Sequence, residues 1–220
     1  MNPQPSLDLS PAVPSLRFEA EKHEYFLDPE GTEIPGVTRI LEEFGLIDFS
    51  HVPPATLERA RQRGTAVHQA LHYLDDGELD GETLDPEIHG YVMAYSAFKN
   101  QAQFEPLLVE NMGWSPAFRY AGRMDRVGLF HISSESSTDK TSHAVVDFKT
   151  GDILPGHRIQ LAAYNMLLPE PRKYRRIALK LNQNGTYKVH EFPQRELSAD
   201  FAVFQAACQL WWWKAGNRGA

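Results

Sequence analysis

The chain contains one cysteine, Cys208, in 220 residues. A single thiol cannot build a disulfide framework, a four-cysteine zinc site or an iron–sulfur cluster. Long apolar runs are missing too, with nothing near the roughly 18 residues that read as a membrane span. Positive charge is in deficit: 22 Lys and Arg against 29 Asp and Glu give a formal net charge of −7 and a pI of about 5.7. Bulk charge therefore speaks against a nucleic-acid partner, since such domains are usually basic. There is no internal repeat, and no G-x-x-x-x-G-K-[ST] loop to cradle a nucleoside triphosphate.

The remaining composition is that of an ordinary globular protein, 42% hydrophobic and 23% charged. The polar, proline-rich start MNPQPSLDLSPAVPS reads as a disordered leader over residues 1–15, with no signal peptide, ahead of a single domain over 16–220. A cytoplasmic protein is expected, with no membrane partner. Charge is unevenly distributed, which weakens the inference from net charge. Basic residues cluster at Arg59, Arg61 and Arg63, at Arg119, Arg123 and Arg126, and across Arg172 to Arg176. Acid gathers between Leu74 and Glu87.

Short strands are expected in LRFEAEKHEYFLDPEGTEIPGVT, broken at the turn sequence Asp-Pro-Glu-Gly. A helix opens at Val37-Thr38. A stronger one covers PPATLERARQRGTAVHQALHYL, with apolar residues at helical spacing and a stop at Asp75-Asp76-Gly77. A third starts near Asp85-Pro86. These helices make up an expected N-terminal helical cap over about 38–100. FEPLLVENMGWS, PAFRYAGRMDRVGLFHI and HAVVDFKT carry strand-like residues, with SSESSTDKTS as a flexible connection and Ala121-Gly122 as a turn or bulge. LPGHRIQLAAYNMLL reads as a helix, and Asn184-Gly185 marks a hairpin. A last helix covers about 197–214, after a core over about 103–193. The expected fold class is α/β, a mixed central sheet flanked by helices.

One strand ends unusually. In AVVDFKTGD, residues i and i+2 share a face, so Asp147 and Lys149 project together while Val146 and Phe148 point the other way. If this strand pairs with AGRMDRVG, Asp125 and Asp147 converge at one end of the sheet. Two carboxylates with a lysine suit a hard divalent cation such as Mg²⁺ or Mn²⁺. Gly64 precedes His68 by one helical turn, which would let that helix face approach the sheet. His68 and His72 stand at i, i+4, but Gln69 replaces the glutamate that a zinc-protease helix needs. Gln160 and Tyr164 likewise share a helix face. Three adjacent tryptophans, Trp211 to Trp213, cannot all face one side of a helix, so at least one is exposed or at a protein interface.

In order, Gly64-x-x-x-His68, Gly122-Arg-Met-Asp125, Asp147-Phe-Lys149 and Gln160-x-x-x-Tyr164 resemble the motif set of the RecB-type branch of the PD-(D/E)XK nucleases. The likeness runs from about Val37 to Tyr174, and PGVTRIL is similar to the opening of small stand-alone exonucleases of this branch, phage and mitochondrial kinds included. The resemblance implies a restriction-endonuclease-like core. It makes Asp125 and Asp147 metal carboxylates, with the backbone carbonyl of Phe148 and the His68 imidazole as further ligands and Glu110 as an additional acid. It makes Lys149 the residue that orients the attacking water, and gives Gln160 and Tyr164 the tasks of holding Lys149 and touching the nucleic-acid backbone. One or two Mg²⁺ or Mn²⁺ ions are implied, and no iron–sulfur cluster. The implied activity is DNA hydrolysis from single-stranded or frayed ends, in repair, recombination or replication. Arg59, Arg61, Arg63 and Arg123 are candidate phosphate contacts, and Tyr91, Tyr95 and Tyr120 are aromatics that could stack on bases. The alternatives are a sequence- or structure-specific endonuclease and a catalytically inactive nucleic-acid-binding module.

Overall fold

The computed structural model describes residues 15–19, 22–132 and 140–217. The chain opens with a small antiparallel sheet of β1 (Ser15–Glu19), β2 (Glu24–Asp28) and β3 (Thr32–Ile34). Three helices follow: α1 (Val37–Glu43), α2 (Pro54–Asp76) and α3 (Pro86–Ala102). Proline starts α2 and α3, where its missing N–H costs nothing. Gly77 ends α2 in the left-handed conformation, and the Asp85 side chain caps α3.

The second sheet contains β4 (Phe104–Ser115), β5 (Tyr120–Ile132), β6 (Lys140–Lys149), β7 (Tyr174–Leu181) and β8 (Tyr187–Phe192), in that spatial order. All neighbours are antiparallel except β6 and β7, which run parallel because α4 (Gly156–Asn165) carries the chain back between them. The last helix, α5, spans Leu197–Gly216. The fold is α/β with a mixed five-stranded sheet and helices on both faces.

Two cores fill the two faces. On one, Val37, Ile40 and Leu41 of α1 meet α4 and α5 over Val127, Val145 and Ala178. On the other, Val67 and Leu71 of α2 and Tyr95 and Phe98 of α3 pack over Val146, Phe148 and Ile177. The alternation of Val145 to one core and Val146 to the other is the period of a strand buried on both faces. The expected cap is therefore not one unit. α1 joins the α4–α5 layer, while α2 and α3 form the opposite layer, because each carries an apolar stripe that the sheet must cover.

Other expectations are corrected by packing. Ala121 and Gly122 lie within β5, paired to Trp114 and Gly113, rather than in a turn. Glycine is required there for another reason: a Cβ on Gly122 would stand 2.7 Å from Tyr164 Cε1. Gly64 is less demanding, since its added Cβ would meet Thr150 Oγ1 at an ordinary 4.0 Å. β6 begins at Lys140, inside the segment read as a connection, whose residues 133–139 lie outside the described residues. So does the expected leader apart from Ser15, which opens β1. Trp211 is buried and Trp212 half-buried, whereas Trp213 is 67% exposed, as three consecutive helical positions require. No helix among the described residues is long and apolar enough to cross a membrane.

Two arginines of the basic clusters are fully buried. Arg176 pairs with Asp200 at 2.7 Å, joining β7 to α5. Arg126 donates to Asp75 Oδ2 at 2.6 Å, and the same carboxylate takes Lys99 at 2.5 Å and the Tyr95 hydroxyl at 2.9 Å. Asp75 thus ties α2 to α3 and β5 from a side chain only 1% exposed. Asp75→Ala strips a buried guanidinium of its nearer counter-ion, leaving only the longer contact to Glu110, and is expected to cost about 3–5 kcal/mol in urea unfolding. Asp76→Ala, next along the chain but exposed, should stay within about 0.5 kcal/mol of the parent. Equal losses for the two would contradict this network.

Candidate metal centre

The last described pair of the β5–β6 ladder is Arg126 with Val146. One step further, Asp125 and Asp147 face each other where the strands part. Asp125 stays tied to the neighbouring strand, because its Oδ2 accepts the Phe148 N–H at 2.7 Å. Its Oδ1 lies 3.4 Å from His68 Nδ1, delivered by α2. Glu110 Oε1 lies 3.8 Å from the same nitrogen. One ligand atom each from His68, Glu110 and Asp125 falls within 4.8 Å of the others.

Glu110 occupies an unusual backbone position, with φ of +48°, between the Val109–Arg126 and Asn111–Met124 pairs of the β4–β5 ladder. Non-glycine residues with positive φ concentrate at functional sites, where surrounding structure over-determines them. Here Arg123 grips Oε2 at 3.0 Å and Arg126 reaches Oε1 at 3.3 Å. Arg123 therefore serves the acid cluster rather than standing free for a phosphate.

Lys149 Nζ lies 2.6 Å from Asp147 Oδ2, close enough for an ion pair but misaligned for a hydrogen bond. Its aligned bond goes to Gln160 Oε1 at 3.1 Å. The Gln160 amide then donates to the Tyr164 hydroxyl at 3.1 Å and to Thr38 Oγ1 at 3.3 Å. Gln160 and Tyr164 are each 5% exposed, so they position the lysine and offer no surface to a passing strand. Thr38, at the first turn of α1, joins this chain of contacts without any signal in the sequence.

Electrostatics divides the two aspartates. Burial works against charge on Asp125, but His68, Lys149 and the Phe148 N–H outweigh it and hold its carboxyl below the usual range. Burial pushes Asp147 up to about 6; Lys149 pulls against that, and the Asp125 charge adds to it. Burial also opposes charge on His68, yet Asp125 and Glu110 more than offset it and raise the imidazole to about 10. Water still reaches 29% of that side chain and screens part of the attraction. Burial, then the Asp147 charge, keeps the Tyr164 hydroxyl neutral.

The donor set suits a divalent cation. Asp147 Oδ2 is buried without an aligned hydrogen-bond donor, and imidazole with carboxylates accommodates Mn²⁺ as well as Mg²⁺. Phe148 is brought to the same spot through its N–H.

Sequence reasoning missed Tyr25. It is buried on β2, its ring fits over Gly36, and it feels the charges of Arg123, Glu110 and Asp125. A lone aromatic in an N-terminal strand gives no hint of this. The three α2 arginines are not one surface. Two residues along a helix is about 200°, so Arg61 turns toward Glu42 at 3.8 Å while Arg63 lies over the Tyr91 ring at 6.0 Å. Tyr91, Tyr95 and Tyr120 are core residues and cannot stack on bases.

No family model and no curated protein matches this chain. Among solved structures, one described as "Crystal structure of SSO0001" aligns at a TM-score of 0.29 and 15% identity, over 76% of this chain and 82% of that one. That likeness is too slight to support any inference.

Because the folded value of Asp147 stands above its unfolded one, its charge costs native stability as pH rises through about 6. Asp147→Asn removes that cost. It should stabilise the metal-free protein at neutral pH by on the order of 1–3 kcal/mol, and abolish any thermal shift on adding Mn²⁺. A variant less stable than its parent yet still shifted by Mn²⁺ would contradict the assignment.

Proposed function

We propose that this protein is a metal-dependent nuclease of the PD-(D/E)XK superfamily, RecB-type branch, built on a restriction-endonuclease-like core. One observation carries the reading. Asp125, Asp147 and Lys149, brought together by strand pairing, meet His68 from α2, while Gln160 from α4 bonds the lysine ammonium. Four separate segments converge on one point with the donors that phosphodiester hydrolysis needs.

The roles follow from the contacts. Asp125, Asp147 and His68 would hold the cation, with the Phe148 carbonyl as a further candidate. Glu110, already neutralised by Arg123 and Arg126, tunes the cluster more than it ligates. A bound divalent ion supplies Lewis acidity and lowers the pKa of a water. Lys149 is the group that moves during catalysis. In the resting site its ammonium is held between Asp147 and Gln160, and with a phosphodiester present it donates where negative charge grows on the phosphoryl oxygens. Gln160, fixed by Tyr164 and Thr38, limits where that ammonium can go.

DNA with single-stranded or frayed ends is the proposed substrate, in repair, recombination or replication. An endonuclease is the second reading. It draws support from α2 and α3, which form a flank of the sandwich rather than a lid under which a free end must thread. Trp213, exposed at the end of α5, is offered as a contact for a protein partner.

Cleavage of labelled linear and circular single-stranded DNA, with Mg²⁺, Mn²⁺ or EDTA, tests the proposal. Linear DNA should be degraded only with metal, and prompt cutting of the circle would select the endonuclease. Lys149→Ala should cut the rate by about a hundredfold or more without unfolding the protein, the scale of losing one transition-state donor. Metal-independent cleavage, or full activity in that variant, would overturn the assignment.

A further inference from the structure

The strand register carries the site beyond Lys149. In the parallel β6–β7 pair Lys149 stands opposite Lys180, and in the antiparallel β7–β8 pair Lys180 stands opposite Lys188. Partners in register point to the same face of a sheet. The three lysines therefore form one cross-strand row on the Asp147 face, extending about 10 Å at the usual strand spacing. Exposure rises along it: 19% for the Lys149 side chain, 28% for Lys180, and an exposed Lys188.

This row runs against the rules of sheet stability. Like charges placed directly opposite one another are destabilising, and the chain as a whole is acidic. Acid compensates only part of the row. Lys149 has Asp147, and Lys180 has Asp152 at 2.6 Å, an aspartate whose side chain is 87% exposed. Solvated pairs of that kind contribute little stability and are readily exchanged. Lys188 has no ion-pair partner among the described residues. A lone lysine on edge strand β8 would serve to block sheet extension. That purpose explains neither the alignment with Lys180 nor the continuation to Lys149.

We propose that Lys180 and Lys188 form a phosphate-binding track, which holds the nucleic-acid backbone on the β8 side of the reacting phosphate. This rests on the nuclease reading and adds to it the direction in which the strand leaves the site. An incoming phosphate displaces Asp152 from Lys180, and the next meets Lys188. The track is non-specific in sequence, since ammonium groups read charge alone. It supplies a local positive surface that the net charge of the chain conceals.

The test is binding of a fluorescent oligothymidylate by anisotropy over a range of salt, with Ca²⁺ replacing Mg²⁺ so that binding is read without turnover. Lys180→Ala with Lys188→Ala should weaken binding about tenfold at low salt. It should also flatten the log–log salt slope by about 1.4, from roughly 0.7 per single-strand phosphate contact. Lys188→Arg should retain the parent slope. Lys173→Ala, which removes one ammonium just before the opposite end of β7, should alter neither quantity. Matching melting temperatures show that all the variants are folded. If the parent binds and the double variant binds equally well with the same slope, the track is wrong while the nuclease reading stands. If the parent binds no DNA at any salt, both fall.

Discussion

Two carboxylates held side by side out of water set the terms for the rest of this structure. Asp125 and Asp147 are 7% and 3% exposed, at the point where two antiparallel strands separate. Neither can be charged there without compensation. The chain supplies it asymmetrically. Asp125 receives a backbone N–H and an imidazole, and Asp147 receives a single misaligned ammonium. The result is one carboxylate held firmly ionised and one poised to exchange its partner. On the proposed reading, a divalent cation would take up the charge that the misaligned ammonium leaves uncompensated.

Much of the surrounding architecture maintains this arrangement. α2 must lie close enough to bring His68 in, and its position is fixed at the far end by Asp75, which joins Arg126, Lys99 and Tyr95. Arg126 also reaches Glu110 and the Asp125 carbonyl, so a single buried guanidinium connects helix packing to the acid cluster. On the other face, Gly122 leaves room for Tyr164, which steadies Gln160 and through it Lys149. A change in either layer reaches the site through one or two hydrogen bonds. The two flanking layers thus position the site from opposite sides of one sheet.

The meeting of Asp125, Asp147 and Lys149 was legible in the sequence because strand periodicity and one pairing sufficed to place them. Asp147 and Lys149 share a face by alternation, and Asp125 comes opposite once β5 and β6 pair. Helix boundaries were also legible, from proline at the starts of α2 and α3 and from Gly77. What stayed hidden were partners far apart in the chain. Arg126 meets Asp75 across 51 residues, and nothing local separates it from the half-buried Arg123 or the exposed Arg119 before it. Asp75, in a run of acids, reads as a helix stop. Thr38 and Tyr25 reach the site only through tertiary packing. The helical cap failed for the same reason, since sequence gives each helix an apolar stripe but not the face of the sheet that it covers. The lysine row needed two registers at once, one across a crossover helix.

The central claim is that Asp125, Asp147 and His68 are a metal site first and an acid cluster second. Anomalous diffraction from crystals soaked in Mn²⁺ tests it most directly. The account predicts an anomalous peak within bonding distance of Asp125, Asp147 and His68 Nδ1, with the Lys149 ammonium drawn away from Asp147. A peak elsewhere in the molecule, or none here at saturating Mn²⁺ with the Lys149–Asp147 contact unchanged, would contradict it.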